Sequence, residues 1–238
     1  MERKQHILVT GTSRGIGAAI AEKLRHAGHH VVGQARSAAE GQLAANFAKP
    51  GAAAALWQKS LDQLDGRIDV VINNAGLFAA SPLDQDHKDW LTDWQQTMAI
   101  NLTASAELCR LAVRHWQKAQ RGGRIVNIAS RAAYRGDSPA HWHYAASKGG
   151  MVAMTKTIAR AYAAEDILAF AICPGFTMTG MAEDYLASRG GDKLLADIPL
   201  GRVAQPEEIA EIALFCALTA PPSMTGAVLD ANGASYVR

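Results

Sequence analysis

The sequence predicts an α/β fold built on a doubly wound parallel sheet, and three observations carry this. Short apolar runs that read as buried strands alternate with segments of helical periodicity. A glycine-rich loop separates the first such strand from the first helix. The length, 238 residues of which 49% are hydrophobic, suits one α/β domain with a sizeable core. We therefore expect a single domain over residues 1–238.

Ile7, Leu8, Val9 and Thr10 form the first strand. Gly11-Thr12-Ser13-Arg14-Gly15-Ile16-Gly17 follows, then a helix in which Ile16, Ile20 and Leu24 recur every fourth position before Gly28 stops it. Glycines in such a loop let the backbone approach a pyrophosphate, and the helix N-terminus offers it free N–H groups and partial positive charge. The spacing is GxxxGxG, and an ordinary strand–helix turn is the alternative. Residues 30–36 read as the second strand. An acid near its end would bind the ribose 2′-OH of NAD. Arg36 stands there instead, and Arg14 lies inside the glycine loop. Two guanidinium groups suit a 2′-phosphate, so the pattern points to NADP(H); two exposed loop arginines are the bland reading.

Residues 38–66 are rich in Ala and Gln and contain Pro50-Gly51. They read as a short helix, a strand over residues 53–57 (Ala-Ala-Ala-Leu-Trp), and a helical turn or two over 61–64. Residues 68–72 are a clearer strand that ends in Asn73-Asn74-Ala75-Gly76. Residues 77–89 read as a loop and about 94–119 as a long helix, with Met98, Leu102, Cys109, Ala112, Val113 and Trp116 at helical spacing. Asn101 sits among them. Propensity disfavours a mid-helix asparagine, which calls for an irregular turn, a bound water or simple exposure. Residues 124–129 form a strand that delivers Ser130.

A helix over about 143–163 carries Tyr144 and Lys148, four residues apart and therefore one turn apart on one face. With Ser130 they bring a phenol, an ammonium and a hydroxyl together, the groups needed to move a proton to or from a carbonyl or alcohol oxygen. By itself such a pair is more often merely solvated. Residues 167–173 form another strand, stopped by Pro174-Gly175. Residues 176–199 are long enough between core elements to be a substrate loop. Pro206, Glu207 and Glu208 open a helix, and residues 227–230 read as the last strand.

The net charge of +2 argues for neither nucleic acid nor an acidic tail. Cys109, Cys173 and Cys216 are widely spaced without a CxxC, so we expect buried thiols rather than disulfides or a zinc site. His141 and His143 lack a nearby carboxylate, so no metal is expected. No signal peptide is apparent, and nothing reaches the about 18 apolar residues of a membrane span, so we expect a cytoplasmic protein.

In order, the motifs Thr10-Gly11-xxx-Gly15-Ile16-Gly17, Asn73-Asn74-Ala75-Gly76, Asn101, Ser130, Tyr144-xxx-Lys148 and Pro174-Gly175-xxx-Thr179 resemble the short-chain dehydrogenase/reductase family over nearly the whole chain. The resemblance implies a seven-stranded parallel Rossmann sheet with helices on both faces. It implies a catalytic set of Asn101, Ser130, Tyr144 and Lys148. Tyr144 would be the general acid/base, its reference pKa of about 10 lowered by the Lys148 ammonium and an oxidised nicotinamide. Lys148 would also bind the nicotinamide ribose, Ser130 the substrate oxygen, and Asn101 a relaying water. Gly11, Ser13, Arg14, Gly15, Ile16, Gly17 and Arg36 would hold the phosphates of NADP(H). Asn73, Ala75 and Gly76 would line the adenosine and ribose, and Pro174, Gly175, Thr177 and Thr179 the nicotinamide. Members usually carry an Asp after the third strand, and Asp62 is a poor match for it.

Three functions follow. The first is an NADPH-dependent oxidoreductase of ketones or aldehydes and alcohols. A narrower version resembles the ketoacyl carrier-protein reductases, which would call for a basic docking surface. The third is a catalytically silent NADP(H)-binding regulator. The resemblance also implies a homodimer or homotetramer packed through the helices at 94–119 and 143–163. Phe78, Tyr134, His141, Trp142, His143, Phe176, Met178 and Tyr185 are candidates to border a small-molecule pocket.

Overall fold

In a computed structural model of the protein, which describes residues 3–37, 41–178 and 191–238, the strands are β1 His6–Thr10, β2 His30–Ala35, β3 Gln42–Ala44, β4 Val70–Asn73, β5 Gly123–Ile128, β6 Ile167–Pro174 and β7 Val228–Ala231. They form one sheet in the order β3-β2-β1-β4-β5-β6-β7, every pair parallel. The helices are α1 Gly15–His26, α2 Ala52–Gln63, α3 His87–Met98, α4 Ala104–Lys118, the short α5 Ala132–Arg135, α6 Trp142–Tyr162, α7 Gly191–Ala196 and α8 Pro206–Leu214.

Parallel strands need crossovers, and the crossover helices cover both faces of the sheet. Successive residues of β1 therefore enter different cores. Leu8 packs with Leu56 of α2, Leu108 of α4 and Ile158 of α6. Ile7 and Val9 pack with Ile20 of α1 and Ile209 of α8. Each such aliphatic, fully buried, contributes about 1.5–3 kcal/mol. Trp116 is fully buried, and its Nε1–H donates to the Ile68 carbonyl at 2.7 Å, so the ring is satisfied in a dry core. Among the described residues no helix is long and apolar enough to cross a membrane. All three cysteines are buried and free, as expected.

Two expectations need correction. Residues 53–57 are not a strand but the start of α2, and the third strand lies earlier, at Gln42–Ala44, where a short helix was expected. Alanine is the strongest helix former, and Ala53, Leu56, Trp57 and Ser60 bury a face at helical, not alternating, spacing. The Asp86 side chain caps α3 by accepting from the Lys88 N–H at 2.9 Å, so that helix begins seven residues earlier than its apolar periodicity suggests. The predicted start of α8 at Pro206 holds, reinforced by a reciprocal cap between Gln205 and Glu208.

At the far end of the sheet from the glycine loop, Asp69 is set among cations. Arg67 Nε donates to it at 2.7 Å and the His6 N–H at 2.9 Å. Burial alone would raise its carboxyl, but these donors hold it below the usual range. Burial pushes the His6 imidazole down, against the pull of Asp69, and pushes His115 down with help from Arg121. A depressed histidine binds fewer protons folded than unfolded, so its contribution is intact above the unfolded pKa of about 6.5 and is lost as pH falls below it. Urea midpoints should therefore drop from pH 7.5 to pH 5, and a His6→Gln, His115→Gln double variant should show a shallower drop.

Candidate active site

Because every strand runs the same way, β1, β4, β5 and β6 all deliver their C-terminal loops to one edge. The strand order reverses between β1 and β4, where such sheets open a crevice. The glycine loop leaves β1 there and is tightly held. Thr10 Oγ1 accepts from the N–H groups of Asn74 and Ala75, each at 3.0 Å. Asn74 Nδ2 donates to the carbonyls of Thr10 and Gly11 at 3.0 and 3.1 Å. From β2, Gln34 Oε1 accepts the Gly11 N–H at 2.9 Å, and from β3, Gln42 Nε2 donates to the Thr12 carbonyl at 2.9 Å.

Two glycines are required by this packing. Gly11 has φ +71°, and a Cβ there would lie 2.8 Å from Ala75 Cα. A Cβ on Gly17 would lie 2.2 Å from the Gly11 carbonyl oxygen and 2.3 Å from Asn74 Nδ2. The bare backbone thus turns directly onto the N-terminus of α1, with Ser13 and Arg14 exposed at its mouth. Arg36 is exposed just beyond β2, and neither Arg14 nor Arg36 makes an ion pair among the described residues. This cradle fits a dinucleotide pyrophosphate.

The four expected catalytic residues converge on the same edge. Asn101 explains its mid-helix position: residues Ala99–Thr103 form a π-helical turn between α3 and α4, and the asparagine is fully buried in it. Its Oδ1 accepts from the Leu77 N–H at 2.7 Å, and its Nδ2 donates to the Leu77 carbonyl at 3.0 Å and to Ser147 Oγ at 3.1 Å. Ser147 in turn donates to the Tyr144 carbonyl at 2.7 Å. Lys148 is 4% exposed, and its Nζ donates to the Ile128 carbonyl at 2.8 Å. A Cβ built on Gly76 would stand 3.6 Å from both Lys148 Nζ and Asn101 Oδ1, so the loop after β4 passes directly over the lysine.

Burial drives the two titrating groups in opposite directions. It pushes the Tyr144 phenol up to about 12, against a hydrogen bond from Ser130 that pulls it down. It pulls the Lys148 ammonium down to about 8. The lysine lies 5.8 Å from the Tyr144 ring centroid. With the chain's own groups alone, desolvation outweighs the other influences on Tyr144; the expected lowering rests on an oxidised nicotinamide as well as on Lys148.

Not every expected residue faces this edge. Asn73 is 1% exposed and turned into the protein, where its Nδ2 donates to Asn127 Oδ1 at 2.8 Å and to Cys109 Sγ at 3.3 Å. Asn127 continues to Thr155 at 2.8 Å. The side chain of Asn73 therefore ties β4 to β5, α4 and α6 instead of lining a cofactor site, a correction to the expectation. Ala75 and Gly76 remain on the edge. Pro174 ends β6, and Thr177, 7% exposed, is folded back with its hydroxyl donating to the Gly175 carbonyl at 3.3 Å. Thr179 and Tyr185 lie outside the described residues. Asp62 is on α2, bonded to Gln58, away from this edge. With β3 relocated, the first polar residue after the third strand is Asn46, two positions beyond it, which the misread strand concealed. Ser147 was also missed; its place in a buried helix face beside Lys148 was the available signal.

Around the tyrosine, Phe78 stacks on His141 with centroids 4.1 Å apart and planes 7° apart, and presents its edge to Tyr144 at 4.8 Å. On the Ser130 side, Arg131 and Arg135 both pair with Asp197, just past α7, at 3.4 and 2.7 Å.

The model of the short chain dehydrogenase family matches residues 5–190. A 3-oxoacyl-[acyl-carrier-protein] reductase of Synechocystis is 36% identical, the alignment covering 96% of each chain. The reductase FabG of Vibrio cholerae is 33% identical over 97% of this chain and 96% of its own. Among solved structures, one from Agrobacterium tumefaciens, assigned as a 2-deoxy-D-gluconate 3-dehydrogenase with bound NADP, superposes with a TM-score of 0.88 at 31% identity, covering 100% of this chain and 98% of that one. The chain belongs to the short-chain dehydrogenase family. It is an oxidoreductase of the carbonyl–alcohol type built to use a nicotinamide dinucleotide.

Replacing Asn101 by Ala would strand the Leu77 N–H and carbonyl and the Ser147 hydroxyl. We expect a loss of about 2–4 kcal/mol by chemical denaturation, together with reduced activity. A substitution that left stability unchanged would show that the amide pair does not hold the loop.

Proposed function

We propose that the protein is an NADPH-dependent carbonyl reductase in which Tyr144 is the general acid. The observation that carries this is the half-buried phenol of Tyr144, protonated and close to Lys148, on the same sheet edge as a glycine cradle whose Arg14 and Arg36 make no ion pair among the described residues. Held by the glycine cradle of residues 11–17, NADPH would supply a hydride, two electrons with a proton, to the carbonyl carbon and leave as NADP⁺. Tyr144 Oη delivers the second proton to the carbonyl oxygen. Ser130 donates a hydrogen bond to that oxygen as negative charge develops. Lys148, drawn down to about 8, is the group able to return a proton toward the tyrosine near neutral pH. Asn101 acts by position: its side-chain amide is fully engaged with Leu77 and Ser147, so any relayed water would be held by other atoms.

On this reading Arg14 and Arg36 bind the 2′-phosphate, and Gly11, Ser13, Gly15, Ile16 and Gly17 the pyrophosphate. Asn46 takes the adenine-side place that a carboxylate holds in relatives. Pro174, Gly175 and Thr177 would border the nicotinamide. The 33–36% identity to named acyl-carrier-protein reductases supports the reductive direction. The bound NADP of the Agrobacterium structure supports the choice of cofactor. A cytoplasmic homodimer or homotetramer fits the exposed Leu91 on α3 and Trp142 on α6, apolar groups a partner could cover.

Tyr144→Phe should lose roughly 10²–10⁴-fold in ketone-dependent NADPH oxidation while binding NADPH as before by fluorescence titration. Equal turnover by both proteins would sink the mechanism. An Arg14→Ala, Arg36→Ala double variant should weaken NADPH by roughly 10- to 100-fold and leave NADH nearly unaffected. Equal losses for the two cofactors would remove the 2′-phosphate assignment.

A further inference from the structure

We propose, resting on the 2′-phosphate reading above and deepening it, that Gln34 and Gln42 are positioning residues for cofactor choice. Through Thr12 they fix the spacing of Arg14 and Arg36, so that the two guanidinium groups close together on one phosphate. The glutamines act through the loop and not by contact with the dinucleotide.

Thr12 is the centre of the arrangement. It lies in the glycine loop and is 4% exposed, and every polar group it has is committed to β2 or β3. Its N–H donates to the Gln34 carbonyl at 2.9 Å, and its hydroxyl donates to the same carbonyl at 3.2 Å. Its carbonyl accepts from Gln42 Nε2 at 2.9 Å. Gly33 makes room for this docking, since a Cβ there would stand 2.5 Å from Thr12 Oγ1. Thr12 therefore has no polar group left for a phosphate. The Gly11 N–H is committed in the same way, to Gln34 Oε1 at 2.9 Å.

Gln34 anchors the other side. It is 2% exposed, and while its Oε1 holds Gly11, its Nε2 donates to the Ala45 carbonyl at 2.7 Å, one residue past β3. The Ala45 N–H in turn donates at 2.9 Å to the carbonyl of Ala35, the residue before Arg36. One amide thus ties the glycine loop, β2 and the end of β3 together. Breaking any of these bonds would leave a dehydrated polar group, so the loop is held in one register against β2.

The consequence falls on the exposed arginines. Arg14 is two residues beyond Thr12, and Arg36 is two residues beyond Gln34. Two residues of chain span at most about 7 Å, so the contact between Thr12 and Gln34 limits how far apart the two arginine backbones can stand. A phosphate gathers N–H donors from two guanidinium forks only if both reach it at once. Neither Arg14 nor Arg36 makes an ion pair among the described residues, so no partner of their own holds them there. The buried amides beneath them supply that constraint. NADH lacks the 2′-phosphate and gains nothing from the spacing, so the effect is confined to the phosphorylated cofactor.

The test reads the contribution of the 2′-phosphate without turnover. Adenosine 2′,5′-bisphosphate and AMP differ only in that group, and calorimetry gives the affinity of each. The wild-type protein should bind the bisphosphate roughly tenfold or more tightly than AMP. Gln42→Met keeps the length of the side chain without its donor, and Thr12→Val keeps the shape of Thr12 without its hydroxyl. Each should lose roughly fivefold of the preference, through weaker bisphosphate binding, while AMP binds as in the wild type. Equal weakening of both nucleotides, or an unchanged preference, in either variant overturns the proposal. A wild type that binds the two nucleotides alike removes the 2′-phosphate assignment itself. If the Arg14→Ala, Arg36→Ala variant loses the preference while Gln42→Met and Thr12→Val keep it, that assignment stands and the positioning role falls. Gln42 is half-buried on an edge strand and Thr12→Val removes a single bond, so both variants should keep the wild-type melting temperature. If one of them melts early, the other decides.

Discussion

The site depends on one pairing, the side-chain amide of Asn101 against the backbone of Leu77. The two groups exchange both hydrogen bonds, at 2.7 and 3.0 Å, as neighbouring strands do. An asparagine inside a regular helix would aim its amide at water or at its own backbone. The inserted residue of the π turn swings it inward instead, where it is fully buried. The loop after β4 is thereby fixed over Lys148, and the spare Nδ2 proton reaches Ser147 and so sets α6 against α4. A satisfied buried network of this kind is rigid because each broken bond would leave a dehydrated polar group.

That rigidity has an electrostatic consequence. Lys148 and Tyr144 are held in a poorly hydrated space where both charged forms are disfavoured, so the phenol rises to about 12 and the ammonium falls to about 8. Among the described residues no carboxylate pairs with Lys148 to oppose this. The pair is thus preset with the proton on the tyrosine, the form that the proposed general-acid role calls for.

Much of this was legible because the informative residues break local rules. A mid-helix Asn, glycines crowded between a strand and a helix, and a Tyr one turn from a Lys each demand a reason that ordinary packing does not supply. The strands β1, β4, β5 and β6 are buried on both faces and so read as unbroken apolar runs. β3 did not, for the opposite reason: an edge strand of three residues, Gln42 to Ala44, has little to bury, while the alanine-rich stretch behind it is apolar without being extended. Misplacing it hid Asn46. Asn73 was misassigned because a motif says which residues stand together, not which way each side chain turns. Its amide is needed between strands, where Asn127 and Cys109 receive it. The direction of the tyrosine shift could not be read either, since desolvation depends on residues such as Phe78 that approach from distant parts of the chain.

The two sides of the tyrosine are built differently, and the difference bears on where selectivity can change. The Ser130 side is braced through the backbone and by ion pairs. Arg131 N–H donates to the Pro174 carbonyl at 3.0 Å, Arg131 and Arg135 share Asp197, and Arg135 also reaches the Ser235 carbonyl at 3.2 Å. The last residue, Arg238, closes the brace on the Tyr134 hydroxyl at 3.0 Å. The opposite wall rests on ring contacts, one serine hydroxyl, and the Ser81 N–H on the Ala140 carbonyl at 2.8 Å. A change at Ser130 or Arg131 would disturb a network that also positions β6 and the C-terminal residues. A change at 78, 138 or 141 alters the surface a substrate meets but leaves untouched the bonds that hold Asn101, Ser147 and Lys148. The groups proposed to handle the proton and those proposed to border the substrate thus rest on largely different contacts, meeting where the edge of Phe78 touches the ring of Tyr144 and where Phe78 follows the Leu77 that Asn101 holds.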